Sequence, residues 1–162
     1  MSRLESFIRR LEAQRLCLDW AVARIAGTPG VVLELGLGNG RTYDHLASRL
    51  GPGREIHAFD RQLAAHPGCV PPPGRLLLGE LRETLPRFAA RGLAVAMVHA
   101  DLGSGDATAT AAQAAWLAPE IAAVASPGGL VLSDQPLQDA RLAPLPLPDG
   151  VPPGRYFAYL RG

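Results

Sequence analysis

The chain has 162 residues, the length of one domain, and a domain of that size takes roughly 70% of its unfolded surface out of water. Its formal charge is +1 and all 16 basic residues are arginine, so no net field gathers nucleic acid; with abundant Ala, Gly and Pro, that usage resembles codon bias in a GC-rich bacterium and carries no functional signal. Two cysteines, Cys17 and Cys69, offer no disulfide framework, no apolar run nears the ~20 residues of a membrane helix, and the charged start (Arg3, Glu5, Arg9, Arg10) offers no secretory segment, so a cytoplasmic protein is expected.

Leu4, Phe7, Ile8, Leu11, Leu18, Val22 and Ile25 recur at helical spacing and predict one amphipathic helix over 3–26, stopped by Gly27-Thr28-Pro29-Gly30. Val31–Leu35 is an apolar run broken only by Glu34, the pattern of a buried strand. Gly36, Gly38 and Gly40 follow at alternate positions; glycine reaches backbone angles closed to other residues and lets a ligand approach the main chain. A helix is expected over 41–50, ended by Gly51-Pro52-Gly53. Residues 55–60 read as a second strand ending at Asp60, and the proline-rich stretch 66–74 as a loop. A short apolar strand at 75–78 precedes Gly79-Glu80, and a helix with Pro86 inside it follows over about 80–91. Residues 93–100 predict a strand ending at Asp101, 107–125 an alanine-rich helix with Trp116 on its apolar side, and 129–133 a strand ending at Asp134. Residues 136–153 read as irregular and 156–160 as a last strand.

Strands and helices in alternation predict an α/β fold with a doubly wound, mostly parallel sheet. No linker divides the chain, so 1–162 reads as one domain, with an N-terminal helix in 1–27 and a ligand-binding core in 28–135. The short remainder after Asp134 predicts a shortened C-terminal part.

In open α/β sheets ligands lie beyond the carboxyl ends of the strands. Those ends are Gly36–Gly40, Asp60, Gly79-Glu80, Asp101 and Asp134. The glycine spacing separates two nucleotide readings. A dinucleotide fingerprint, G-x-G-x-x-G, would need its third glycine at Arg41. The pattern is instead G-x-G-x-G with Glu34 two residues ahead. Glu34-Leu35-Gly36-Leu37-Gly38-Asn39-Gly40 resembles the first motif of the class I S-adenosylmethionine-dependent methyltransferases. Residues 33–46 are similar to a run found in small bacterial methyltransferases. The alternatives are a glycine-rich turn in an unrelated α/β domain, a nicotinamide-dependent oxidoreductase, for which Asp60 would also stand at the ribose position, and a non-catalytic protein that only holds the cofactor.

The resemblance covers roughly residues 28–135 and implies S-adenosyl-L-methionine as cofactor. It places Glu34, Gly36, Leu37, Gly38 and Gly40 around the cofactor, with Thr42, Tyr43 and the helix N-terminus near its methionine carboxylate. Asp60 and Arg61 take the ribose position, and Gly79, Glu80 and Leu81 the adenine edge. Asp101 faces both the methionine part and the methyl acceptor, and is the candidate for orienting or deprotonating that acceptor. Base-methylating members carry Asp/Asn-Pro-Pro-aromatic at this strand end; Asp101-Leu102-Gly103-Ser104 argues for a small-molecule acceptor instead. Asp101 with Asp134-Gln135 is similar to a magnesium-holding set, but the longer Gln135 and the turn at Pro136 argue against a metal. His99 is expected to be a packed core histidine, and Trp20 a core aromatic or part of a helical lid. With little chain left to roof the pocket, the N-terminal helix or a second subunit should do so, which predicts a homo-oligomer without nucleic-acid or membrane partners.

Overall fold

A computed structural model describes residues 2–162. Helix α1 (Arg3–Arg24) leads into β1 (Val31–Leu35), α2 (Arg41–Leu50), β2 (Ile56–Asp60), a 3-10 turn (Pro67–Cys69), β3 (Leu76–Leu78) and α3 (Leu81–Ala89). Then come β4 (Val95–Ala100), α4 (Ala107–Val124), β5 (Leu130–Ser133), β6 (Leu142–Leu145) and β7 (Phe157–Arg161). All seven strands join one sheet in the order β3-β2-β1-β4-β5-β7-β6. The first five run parallel, whereas β7 is antiparallel to β5 and to β6. This is the mostly parallel, doubly wound sheet that the resemblance implied.

Alternation along the central strands builds two core layers. Val32, Met97 and Leu132 face α1 and α2, meeting Leu18, Ala21, Ile25 and Leu46. Leu33, Leu35, Val98 and Val131 face α3 and α4, meeting Phe88, Leu117 and Ile121. Helix α1 starts with a capping box: Glu5 N donates to Ser2 Oγ at 3.1 Å and Ser2 N to Glu5 Oε2 at 2.6 Å. After α1, Arg54 gathers the chain by donating to Ile25 O, Thr28 O and Gly30 O at 2.7–3.0 Å. The packed face of α1 is Ala13, Gln14, Cys17, Leu18 and Ala21. Leu4, Phe7 and Ile8, grouped with the apolar stripe in the sequence, are exposed instead, because the first turns of α1 are not packed into either core layer.

The stretch 136–153, expected to be irregular, contains β6. Pro144 lies within that strand opposite Tyr159. Proline removes a ladder donor, and β6 accommodates it because it is the sheet edge. The C-terminal part is therefore short in residues yet completes the sheet. Among the described residues no helix is long and apolar enough to cross a membrane.

Candidate functional site

The parallel strands deliver Gly36–Gly40, Asp60, Gly79, Asp101 and Asp134 to one edge of the sheet. Gly36 and Gly40 have φ of +90° and +86°, a region that favours glycine. A Cβ on Gly36 would stand 2.8 Å from Asp101 O, and one on Gly40 would stand 2.5 Å from Cys69 Cβ. The loop is tied to β2 by Asp60, whose Oδ2 accepts from Gly38 N at 2.8 Å and whose Oδ1 accepts from Arg61 N at 2.7 Å.

Two cavities open here. The larger, about 570 Å³, is lined by eight of the residues singled out in the sequence: Gly36, Gly38, Asp60, Arg61, Gly79, Glu80, Leu81 and Asp101. The smaller, about 200 Å³, lies between α1 and the glycine loop, and takes in Leu37 and Thr42 beside Phe7, Arg10, Leu11 and Gln14. Gly36, Gly38, Asp101 and Gly103 border both. Sequence reasoning did not bring Phe59, Arg82, Gln113 or Trp116 to the larger cavity. Trp116 reaches it from the middle of α4, with the Arg82 guanidinium 4.2 Å from its ring centre. Helical spacing alone could not say which neighbour that face meets.

Glu34, Gly40 and Tyr43 line neither cavity. Glu34 sits on β1 beside His99 of β4 and is fully buried. Its Oε2 lies 2.7 Å from His99 Nδ1, and its Oε1 accepts from the Thr42 hydroxyl. Strand alternation turns Glu34 away from the ligand edge and into the α1–α2 core layer, where Tyr43 is also packed. His99 is buried, as its position on the central strand predicted, and it is hydrogen-bonded to Glu34 as well as packed. Burial disfavours its imidazolium, but Glu34, helped by Asp101 and Asp134, overcomes that and raises its proton affinity above the ordinary histidine value. Burial pushes the Tyr156 hydroxyl far up its scale, so it stays protonated.

Asp101 accepts from Arg10 Nη2 at 3.1 Å and from Gln14 Nε2 at 2.5 Å, both from α1. Asp134 accepts from Leu102 N at 3.3 Å and Gly103 N at 2.9 Å, so it shapes the loop after β4. Burial raises the Asp134 proton affinity, and the charge of Asp101 adds to that. Among the described residues no group of three or more His, Cys, Asp or Glu side chains is arranged to hold a metal ion.

A family model described as S-adenosyl-L-methionine methyltransferase matches residues 1–161. No curated protein matches the chain. Among solved structures, an S-adenosyl-L-methionine methyl transferase from Silicibacter pomeroyi DSS-3 is 45% identical with a TM-score of 0.94, covering 100% of this chain and 99% of that one. TrmN from Thermus thermophilus is 23% identical with a TM-score of 0.59, over 89% of this chain and 48% of that one. Cofactor-bound Rv0187 from MTB is 19% identical with a TM-score of 0.52, over 76% and 55% respectively. The last two likenesses concern the fold alone. A family match along nearly the whole chain, with 45% identity to a methyltransferase of the same length and topology, establishes that this chain belongs to the S-adenosyl-L-methionine-dependent methyltransferases.

Proposed function

We propose that the methyl acceptor is a small molecule, and that Asp101 orients it and takes its proton where the acceptor atom carries one. The observation that supports this reading is the place of Asp101 at the junction of the two cavities. The larger cavity suits an adenosyl group, since its volume falls within the roughly 300–1,000 Å³ of small-ligand sites. Asp60 offers carboxylate oxygens to ribose hydroxyls; Gly36 and Gly38 keep side chains out of the way; Phe59, Leu81 and Trp116 offer apolar faces to a base. Arg61, Gly79 and Glu80 complete its wall. Leu37 and Thr42 stand at the start of α2, where a carboxylate is favoured by the helix amides. Glu34, Gly40 and Tyr43 support this loop from behind.

S-adenosyl-L-methionine, when bound, supplies a methyl group on a sulfonium leaving group. The residues of this chain have to align the acceptor and hold its proton. Alignment alone is worth roughly 7–11 kcal/mol of a barrier. The near-neutral charge and the Asp101-Leu102-Gly103-Ser104 sequence support a small acceptor over a nucleic acid. So does the pairing of Arg10 with Asp101, which takes one cation away from any phosphate.

Calorimetric titration with S-adenosyl-L-methionine, S-adenosyl-L-homocysteine and NAD tests the cofactor site; saturable binding of the first two and none of NAD is expected. With acceptors found by screening for S-adenosyl-L-homocysteine release, Asp101→Ala should lose about 10²–10⁴-fold in turnover and little cofactor affinity. Unchanged turnover would end that role for Asp101. Self-association of this one-domain, cytoplasmic protein belongs to the same proposal, through the exposed Leu4, Phe7 and Ile8 of α1. Light scattering at micromolar concentration should give a mass above 17.1 kDa, and a monomer would count against it.

A further inference from the structure

An unbroken chain of hydrogen bonds runs through the protein from Asp101 to Thr42. Gln14 Nε2 donates to Asp101 Oδ2 at 2.5 Å and to Tyr156 Oη at 3.1 Å. Tyr156 Oη is 3.0 Å from His99 Nε2, and His99 Nδ1 is 2.7 Å from Glu34 Oε2. The Thr42 hydroxyl closes the chain on Glu34 Oε1. Gln14, Tyr156, His99 and Glu34 are all buried, and the rings of His99 and Tyr156 lie nearly parallel at 6.0 Å. Asp101 and Thr42, the two ends, both border the smaller cavity; Tyr156, His99 and Glu34 do not.

Counting hydrogens settles the direction of the chain. A carboxylate only accepts, so Gln14 must turn its amide nitrogen to Asp101. The second hydrogen of that nitrogen goes to Tyr156 Oη, which leaves the phenolic hydrogen for His99 Nε2. A ring nitrogen that accepts is unprotonated, so neutral His99 carries its hydrogen on Nδ1, facing Glu34. A neutral ring protonated on Nε2 instead would leave the phenolic hydrogen of Tyr156 without an acceptor and set the lone pair of Nδ1 against Glu34 Oε2, and an unmatched polar group in the protein interior is costly.

We infer that Gln14 and Tyr156 are positioning residues for methyl transfer: they hold the Asp101 carboxylate in one orientation at the cavity junction, and His99, protonated on Nδ1, sets the direction of their hydrogen bonds. The inference rests on the role proposed above for Asp101. It makes α1 a wall of the transfer site, gripping Asp101 from inside through Gln14 and from outside through Arg10.

NMR on the full chain saturated with S-adenosyl-L-homocysteine, with the pH raised from about 7 to about 10 until the His99 ring, whose proton affinity lies above that of a free imidazole, is neutral, tests this. In the wild type His99 should show a protonated Nδ1 and a bare Nε2, and both Gln14 amide hydrogens should exchange slowly. Tyr156→Phe keeps the ring and removes the hydroxyl. It should speed exchange of one Gln14 hydrogen by about 3- to 10-fold and shift the Asp101 carboxyl carbon. Gln14→Leu should shift that carbon too, and Gln14→Glu, the same shape without a donor, should displace it further. A hydrogen on Nε2 in the wild type would overturn the inference. So would an Asp101 signal unmoved by both Gln14→Leu and Tyr156→Phe. Full turnover in Asp101→Ala with every NMR signature intact would instead refute the reading of Asp101 beneath it.

Discussion

Replacing Asp60 with alanine is expected to weaken S-adenosyl-L-methionine binding by about 10²–10⁴-fold. In the proposed site Asp60 has two tasks. Its Oδ2 holds Gly38 N at 2.8 Å, which sets the shape of the glycine loop. Its remaining lone pairs face the larger cavity, where they suit a pair of ribose hydroxyls. Hydrogen bonds to a charged acceptor are worth about 1.5–3 kcal/mol each. Two of them come to roughly 3–6 kcal/mol, and 1.4 kcal/mol is a factor of ten. Asp60→Asn keeps an acceptor for Gly38 and should lose about tenfold. Calorimetric titration of folded variants measures both. Wild-type affinity in Asp60→Ala would remove the carboxylate from the binding site.

Glu34→Leu should cost about 3–5 kcal/mol of stability, because it leaves one member of a buried pair without its partner. In a chain of this size that is a fall in Tm of roughly 6–20 °C. The pH dependence carries the sharper signature. In the wild type His99 has a raised proton affinity, so its contribution is fully present below the free-imidazole value of 6.5 and is lost as pH rises through the folded value. Without Glu34, burial, the largest influence, is opposed only by the weaker pull of Asp101 and Asp134, and the ring is expected to stay neutral when folded. Only the unfolded chain then takes up the proton, so the variant loses stability as pH falls through 6.5. The gap between the two proteins should therefore widen from about pH 8 to pH 5. Urea unfolding across that range reads it directly, and a gap independent of pH would rule out the pair as the source. Of the two side chains hydrogen-bonded to Glu34, Thr42 and His99, only Thr42 lines a cavity, so cofactor affinity should change far less than in Asp60→Ala.

The local features were legible along the chain. An apolar run followed by glycines at alternate positions marks a buried strand entering a turn with left-handed backbone, and Gly36 and Gly40 adopt such angles. Alternating periods predicted the parallel part of the sheet, and acids at the ends of strands placed Asp60 and Asp101 on the ligand edge. Both rest on spacing along a few residues.

Other features depend on which surfaces meet, and these emerged with the fold. Pro144 argued against a strand until the edge position of β6 left it without a ladder bond to lose. Leu4, Phe7 and Ile8 have the spacing of a core stripe, yet neither core layer reaches them. Glu34 carries the family motif, but its register beside His99 turns it inward, where it holds Thr42 and the imidazole. Gln14 and Tyr156 lie 142 positions apart and carry no motif, so only the fold brings them together behind Asp101. Periodicity along a chain reports which side of an element is apolar. It does not report what that side packs against, and the polar chain behind Asp101 is built from such meetings.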